Sequence, residues 1–137
     1  MVAEYPDVNR CAYADAEADE DTFNLTGDYN NGVSSIVGRY RFRQFGSECL
    51  RLMRGGKPYA VADSEIDSRC AEELESYRQT QIRSVVCVPL LKAGRFVAAM
   101  AVHSIASRRW KQEEIDLVLQ VANRCWESIE RSRVGRA

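Results

Sequence analysis

The stretch Ile82–Ser104, IRSVVCVPLLKAGRFVAAMAVHS, decides the fold class. Two nearly continuous apolar runs, Ile82–Leu91 and Arg95–Ser104, are joined at Lys92-Ala93-Gly94. A short, glycine-bearing joint between two such runs is a hairpin signal. A strand wetted on one side alternates apolar and polar residues, whereas one apolar throughout is covered on both faces. The pair therefore predicts a central hairpin with further layers above and below it.

Working outward, the N-terminal side supplies more strands. Arg10–Ala16 (RCAYADA) and Thr22–Asp28 (TFNLTGD) read as two, with Phe23 and Leu25 on one face. Glu17–Asp21 is an acidic turn between them. Its alternating carboxylates resemble half a calcium loop, but Glu20 stands where such a loop needs Gly, and Thr26 where it needs the clamping Glu. Asn30-Asn31-Gly32 marks a turn. In Gln44–Arg54, Phe45, Cys49, Leu52 and Met53 stand at helical spacing, and Gly55-Gly56 ends the run. Lys57–Asp63 reads as a strand, and the chain from Asp67 to Tyr77 as a polar helix with Leu74 and Tyr77 inward.

The C-terminal side carries the longest element. Over Glu113–Arg131, Ile115, Val118, Leu119, Ala122, Cys125, Trp126 and Ile129 form one apolar stripe. Glu113, Glu114 and Asp116 at its start and Arg131 near its end suit the helix dipole. Leu117 and Val121 widen the stripe beyond one packing face, which predicts a partner helix and hence a homodimer. The expected interface residues are Leu117, Val118, Val121, Cys125 and Ile129.

The 137 residues suffice for one domain with its own core. Hydrophobic residues at 45% and charged residues at 28% exclude a disordered chain. No apolar run approaches the ~20 residues of a membrane span. A net charge of −1 argues against bulk attraction to nucleic acid or anionic lipid. Charge is nonetheless uneven. Residues 1–31 hold eight acids and one base, while residues 39–57 hold Arg39, Arg41, Arg43, Arg51, Arg54 and Lys57 against Glu48. The two stretches could face each other, greet an anion or simply meet water. Cysteines at 11, 49, 70, 87 and 125 have neither paired spacing nor a zinc pattern. With no signal-peptide pattern at the start, reduced thiols in a cytoplasmic protein are expected.

Two strands, a helix, a strand, a helix, a buried hairpin and a long last helix follow one another. This order resembles a GAF domain, a sensory module related to PAS domains. The resemblance rests on Ser84–Leu90 (SVVCVPL), the Gly94-Arg95 turn, Arg108-Arg109-Trp110, Asp63 after the third strand and Glu113-Glu114-Ile115. It covers about residues 10–134, with 1–9 left as a remnant of a first helix or a linker. The tail RRWKQEEIDLVLQVANRCWESIERSR and the segment VGRYRFRQFG (Val37–Gly46) resemble GAF domains that precede the core of bacterial HWE-type histidine kinases. Lys111 departs from the Ser or Thr cap often found there, at a cost of ~1 kcal/mol to the helix start.

The resemblance implies an α+β fold: a central antiparallel sheet of five or six strands, flanking helices and a long C-terminal helix. It also implies a non-catalytic sensory and dimerising input module of a two-component sensor kinase. The partners would be an unknown small molecule and the kinase domain of the parent chain, with no assigned cofactor and no metal. A ligand would lie between the sheet and the crossing segments Ile36–Arg54 and Asp63–Arg83. Tyr40, Phe42, Phe45, Asp63, Arg83, Met100 and His103 are the candidate lining residues. The competing reading is that the aromatics fill the core and Arg83 pairs with a carboxylate.

Other roles within the fold are a ligand-free structural spacer, a bilin photosensor and a thiol-based methionine sulfoxide reductase. Cys70 lies in the helix that carries the bilin cysteine, but Ala71 follows it where the photoreceptors have His. Cys49 and Cys70 lie near the reductase's cysteines, without its surrounding glycine and cysteine pattern. The Asn-Lys-Phe-Asp-Glu signature of cyclic-nucleotide GAF domains is not found. His103, the single histidine, has no His partner for a metal.

Overall fold

The structure is a computed structural model that describes residues 8–135, without the side chains of 129 and 132–135. The expected remnant at 1–9 therefore lies outside the described residues, apart from Val8 and Asn9. Six antiparallel strands form one sheet in the order β3-β2-β1-β6-β5-β4. They are β1 (Arg10–Ala16), β2 (Thr22–Asn30), β3 (Gly38–Arg41), β4 (Tyr59–Val61), β5 (Ser84–Lys92) and β6 (Arg95–Ser104). The helices are α1 (Ser47–Arg54), α2 (Leu74–Gln79) and α3 (Gln112–Gly135), with 3-10 turns at Phe42–Phe45 and Ser68–Glu73.

The quoted stretch is the central hairpin. Ala93 (φ 52°) and Gly94 (φ 77°) make a two-residue turn with both residues left-handed, which suits the twist of the strands. Side chains on β5 and β6 alternate between two buried layers. Val85, Cys87, Ala99 and Ala101 join Phe23, Leu25, Met53 and Tyr77 under the α1 and α2 side. Val86, Val88, Leu90, Ala98, Met100 and Val102 face α3, where Val118 and Ala122 cover them. Two buried faces are why neither strand shows alternation in its sequence.

The differences from the expected elements are local. The helix foreseen over Gln44–Arg54 is a 3-10 turn followed by α1, divided at Gly46. Gly46 has φ 111°, and a Cβ there would lie 2.8 Å from the Arg69 carbonyl oxygen. Glycine is what lets α1 approach the Ser68–Glu73 turn so closely. Strand β3 is an addition, and β4 is shorter than Lys57–Asp63.

The helix start at Lys111 is capped from the other side. Glu114 accepts the Lys111 amide at 2.9 Å and pairs with Arg108, whose guanidinium lies over the Trp110 ring. That is the reciprocal half of a capping box, and it does without a Ser or Thr cap.

The acidic and basic stretches meet. Glu17 pairs with Arg39, the buried Asp21 with Arg43, and Arg54 donates to the carbonyls of Asp19 and Glu20. Phe96, 1% exposed, meets Phe42 with its ring tilted by 60°, and Phe42 in turn packs on Phe23. Phe96→Ala is expected to cost about 3–5 kcal/mol in urea unfolding. Tyr29→Ala, at a residue 58% exposed, is expected to stay within about 0.5 kcal/mol.

Candidate ligand cavity between the sheet and the helical layer

A cavity of about 60 Å3 lies between the sheet and the α1 and α2 side. Val85, Cys87, Ala101 and His103 form its floor. Phe42, Phe45, Cys49 and Tyr77 cover it, and Ile36, Tyr59 and Ile82 close the sides. Ile36 and Phe45 are half-buried, whereas the other lining residues are buried.

The phenols are spent on one another. Tyr77 Oη donates to the Phe45 carbonyl. Tyr59 Oη, 2.9 Å away, must then donate to Tyr77, and the Cys70 thiol, 3.5 Å from Tyr59, donates to it. Burial pushes both tyrosines well above the usual phenol range, so they stay neutral donors. This chain ties the Ser68–Glu73 turn, β4 and α2 to the end of the Phe42–Phe45 turn.

His103 is the polar group of the floor. Its neighbour on β1 is Arg10, whose side chain is fully buried. Arg10 donates from Nε to Asn30 Oδ1 (2.9 Å), from Nη1 to the Thr80 carbonyl (2.7 Å) and from Nη2 to the Ser34 carbonyl (2.8 Å). Nη1 also lies 3.2 Å from His103 Nδ1. Burial, opposed by the charge of Asp28, lowers the Arg10 pKa. Burial and then the Arg10 charge pull His103 down to about 3. His103 is therefore neutral at ordinary pH.

The candidate residues divide. Phe42, Phe45 and His103 line the cavity. Tyr40 packs against Phe23 and Phe45 and donates to the Ile36 carbonyl, so it supports the rim from outside. Asp63 and Arg83 pair with each other, and the Arg83 guanidinium holds the Asp63 carboxyl below its usual range. That pair clamps the end of β4 to the start of β5, and neither residue reaches the cavity. Met100 is a correction: β6 alternates, so the floor takes Ala101 and His103 while Met100 faces α3. Arg10, Tyr59 and Tyr77 are parts of the site that sequence reading missed. An arginine opening the strand face that continues with Ala12, Ala14 and Ala16 was the available signal for Arg10.

The terminal helix divides likewise. Val118 is 2% exposed against the chain's own sheet, which corrects its assignment to a partner-facing surface. Val121 and Cys125 pack at the margin of the same cluster, while Leu117 is half-buried outside it. Ile129 lies outside the described side chains.

Thiol chemistry and a bilin both meet obstacles. Cys49 is 3% exposed, and burial raises its thiol well above the ordinary range; Cys87 is pushed up to about 12. Reactive thiols need the opposite shift. Cys70 is fully buried under Tyr59. A cavity of about 60 Å3 is far below the roughly 300 Å3 at which drug-sized sites begin, so a tetrapyrrole does not fit this arrangement.

Two outcomes follow from the site. Native protein treated with a thiol reagent near pH 8 is expected to label at the half-buried Cys11 and Cys125 long before Cys49, Cys70 or Cys87; rapid labelling at Cys49 would contradict the geometry. A base whose folded pKa is depressed contributes stability above its unfolded pKa and loses it as pH falls. For His103 that loss begins near pH 6.5 and runs toward 3, at roughly 1.4 kcal/mol per pH unit. Urea unfolding between pH 6.5 and 5 is expected to show this slope in wild type and not in His103→Gln.

The comparisons agree with this architecture. The GAF domain family profile matches residues 1–129. None of the curated proteins matches the chain in sequence. Among solved structures, the phycoerythrobilin-bound GAF domain of a cyanobacterial phytochrome superposes with TM-score 0.79 at 11% identity. That alignment covers 99% of this chain and 83% of the other. A phycocyanobilin-bound GAF domain from a cyanobacterial phytochrome gives 0.73 at 13% identity, over 93% and 77%. A domain assigned to a two-component sensor histidine kinase of Sinorhizobium meliloti 1021 gives 0.72 at 17% identity, over 98% and 87%. Identities this low establish a shared fold, and the match to the family profile establishes membership: the chain belongs to the GAF domain family.

Proposed function

We propose that this chain is a non-catalytic sensory GAF module, the input part of a bacterial two-component sensor histidine kinase. One observation carries the reading. The strand that floors the cavity with Ala101 and His103 supports α3 with Met100 and Val102 from its opposite side. A ligand on one face of β6 is thus one strand's thickness from the longest helix of the chain. The resemblance to the Sinorhizobium meliloti domain supports the kinase setting. No helix among the described residues is long and apolar enough to cross a membrane, which is consistent with a cytoplasmic module.

In this mechanism α3 pairs with its twin in a homodimer and leads toward the kinase domain of the parent chain. The ligand acts by binding one arrangement of that pair better than the other, since equal affinity shifts nothing. Leu117, outside the cluster of Val118 and Ala122, and Val121, at its margin, are half-buried neighbours on one flank of α3. The small size of the cavity favours a second reading, a structural spacer that transmits helix geometry without a ligand.

Native mass spectrometry of freshly purified protein separates the two. A dimer with extra mass that leaves on denaturation supports the sensory module, whereas a dimer without added mass supports the spacer. Leu117→Glu and Val121→Glu are each expected to lower the sedimentation coefficient to that of a monomer; an unchanged value would remove α3 as the interface.

A further inference from the structure

Arginine has donors and no acceptor, so the 3.2 Å contact with Arg10 Nη1 makes His103 Nδ1 an acceptor. A neutral imidazole with Nδ1 free of hydrogen carries its proton on Nε2. Arg10 is itself held by three further acceptors: Asn30 on β2, Ser34 in the loop after it and Thr80 at the end of α2. The guanidinium therefore cannot turn away from Nδ1 without stranding a buried charge. Among the described residues no hydrogen-bond partner meets His103 Nε2. The ring lines the cavity. Around it the tyrosine hydroxyls are already committed, and the remaining lining is apolar or thiol.

We infer that Arg10 is a positioning residue that fixes His103 as the Nε2–H tautomer, making the cavity a site for a small uncharged molecule with one hydrogen-bond acceptor. This rests on the reading of the cavity as a ligand site. The class is that of a small aldehyde or nitrile. A cation would meet a donor backed by the Arg10 charge. An anion would lose its hydration for a single hydrogen bond, which does not offset the cost. A pure hydrocarbon would take water from the N–H and give no hydrogen bond in return. An apolar cavity of 150 Å3 takes benzene, so about 60 Å3 suits a molecule of roughly two or three heavy atoms. Arg10 also donates to the two segments that bring Ile36 and Ile82 to the rim, through the Ser34 and Thr80 carbonyls. One side chain thus sets both the polarity and the edge of the site.

The chain's single histidine makes the test direct. Protein carrying 15N-histidine is examined by long-range 1H–15N NMR, alone, under xenon pressure and with acetonitrile. Xenon reports whether the apolar space admits a guest, and acetonitrile whether the guest is held by an acceptor. The expected result is one neutral tautomer, protonated at Nε2. Acetonitrile is then expected to shift that proton, while xenon moves the methyl signals of Ile36, Ile82 and Val85. In Arg10→Gln the tautomers are expected to mix and acetonitrile to bind about fivefold more weakly, the scale of one hydrogen bond, with xenon binding retained. If that variant does not fold, the wild-type tautomer and the acetonitrile response decide alone. An Nδ1–H tautomer in wild type, or an Arg10→Gln protein with the tautomer unchanged, would overturn the assignment of Arg10. Xenon binding without an acetonitrile effect on Nε2 would overturn the ligand class and leave the cavity standing. No response to either guest would remove the cavity as a ligand site, and this inference with it.

Discussion

A guanidinium buried in a sheet must satisfy its donors where no water reaches, and Arg10 does so by gathering four distant parts of the chain. Its partners are Asn30, Ser34, Thr80 and His103, drawn from β2, the following loop, the end of α2 and β6. Removing a partner from a buried charge costs several kcal/mol, so these contacts stand or fall together. They help to hold the rim of the cavity. The loop that carries Ile36 is held at Ser34 by Arg10 and by the Gln81 side chain, and at Ile36 by Asp28. The same constraint keeps His103 neutral: burial disfavours the imidazolium, and the adjacent guanidinium disfavours it further.

The central hairpin makes this node matter beyond the pocket. The buried residues of β5 and β6 belong to one of two dry layers, so a change on one face cannot be absorbed by solvent on the other. Strand β1 has the same division. Arg10, Ala12 and Ala14 are buried on the cavity side, while Cys11 and Tyr13 pack on the α3 cluster. Burial raises the Cys11 thiol, and Cys125 on α3 adds to the shift, which places the two within electrostatic reach. Contacts from the Arg10 node to the terminal helix therefore run through β1 and β6 alike.

Much of the fold was legible because it depends on patterns that local chemistry imposes. The two apolar runs around Ala93-Gly94 have no other economical arrangement, and the stripe from Ile115 to Trp126 repeats at three and four. Strand β3 was not legible, since Gly38–Arg41 places two arginines outward and is fixed by pairing with Thr22–Leu25 rather than by its own pattern. The site was read less completely. Phe42, Phe45 and His103 fell in the correct layer, but Met100 was misplaced because an apolar run conceals which residue faces which side. The partnership of Arg10 with His103 spans 93 positions and leaves no trace in spacing. The tyrosine chain through Tyr59 and Tyr77 is likewise a product of packing between separate segments.

The central claim is that occupancy of the cavity is felt at α3. Amide hydrogen exchange, measured with and without xenon in the cavity, tests this most directly. The account predicts altered exchange in β1 and β6 and along α3 when the cavity is filled. Altered exchange confined to the cavity side, with α3 unchanged, would contradict it.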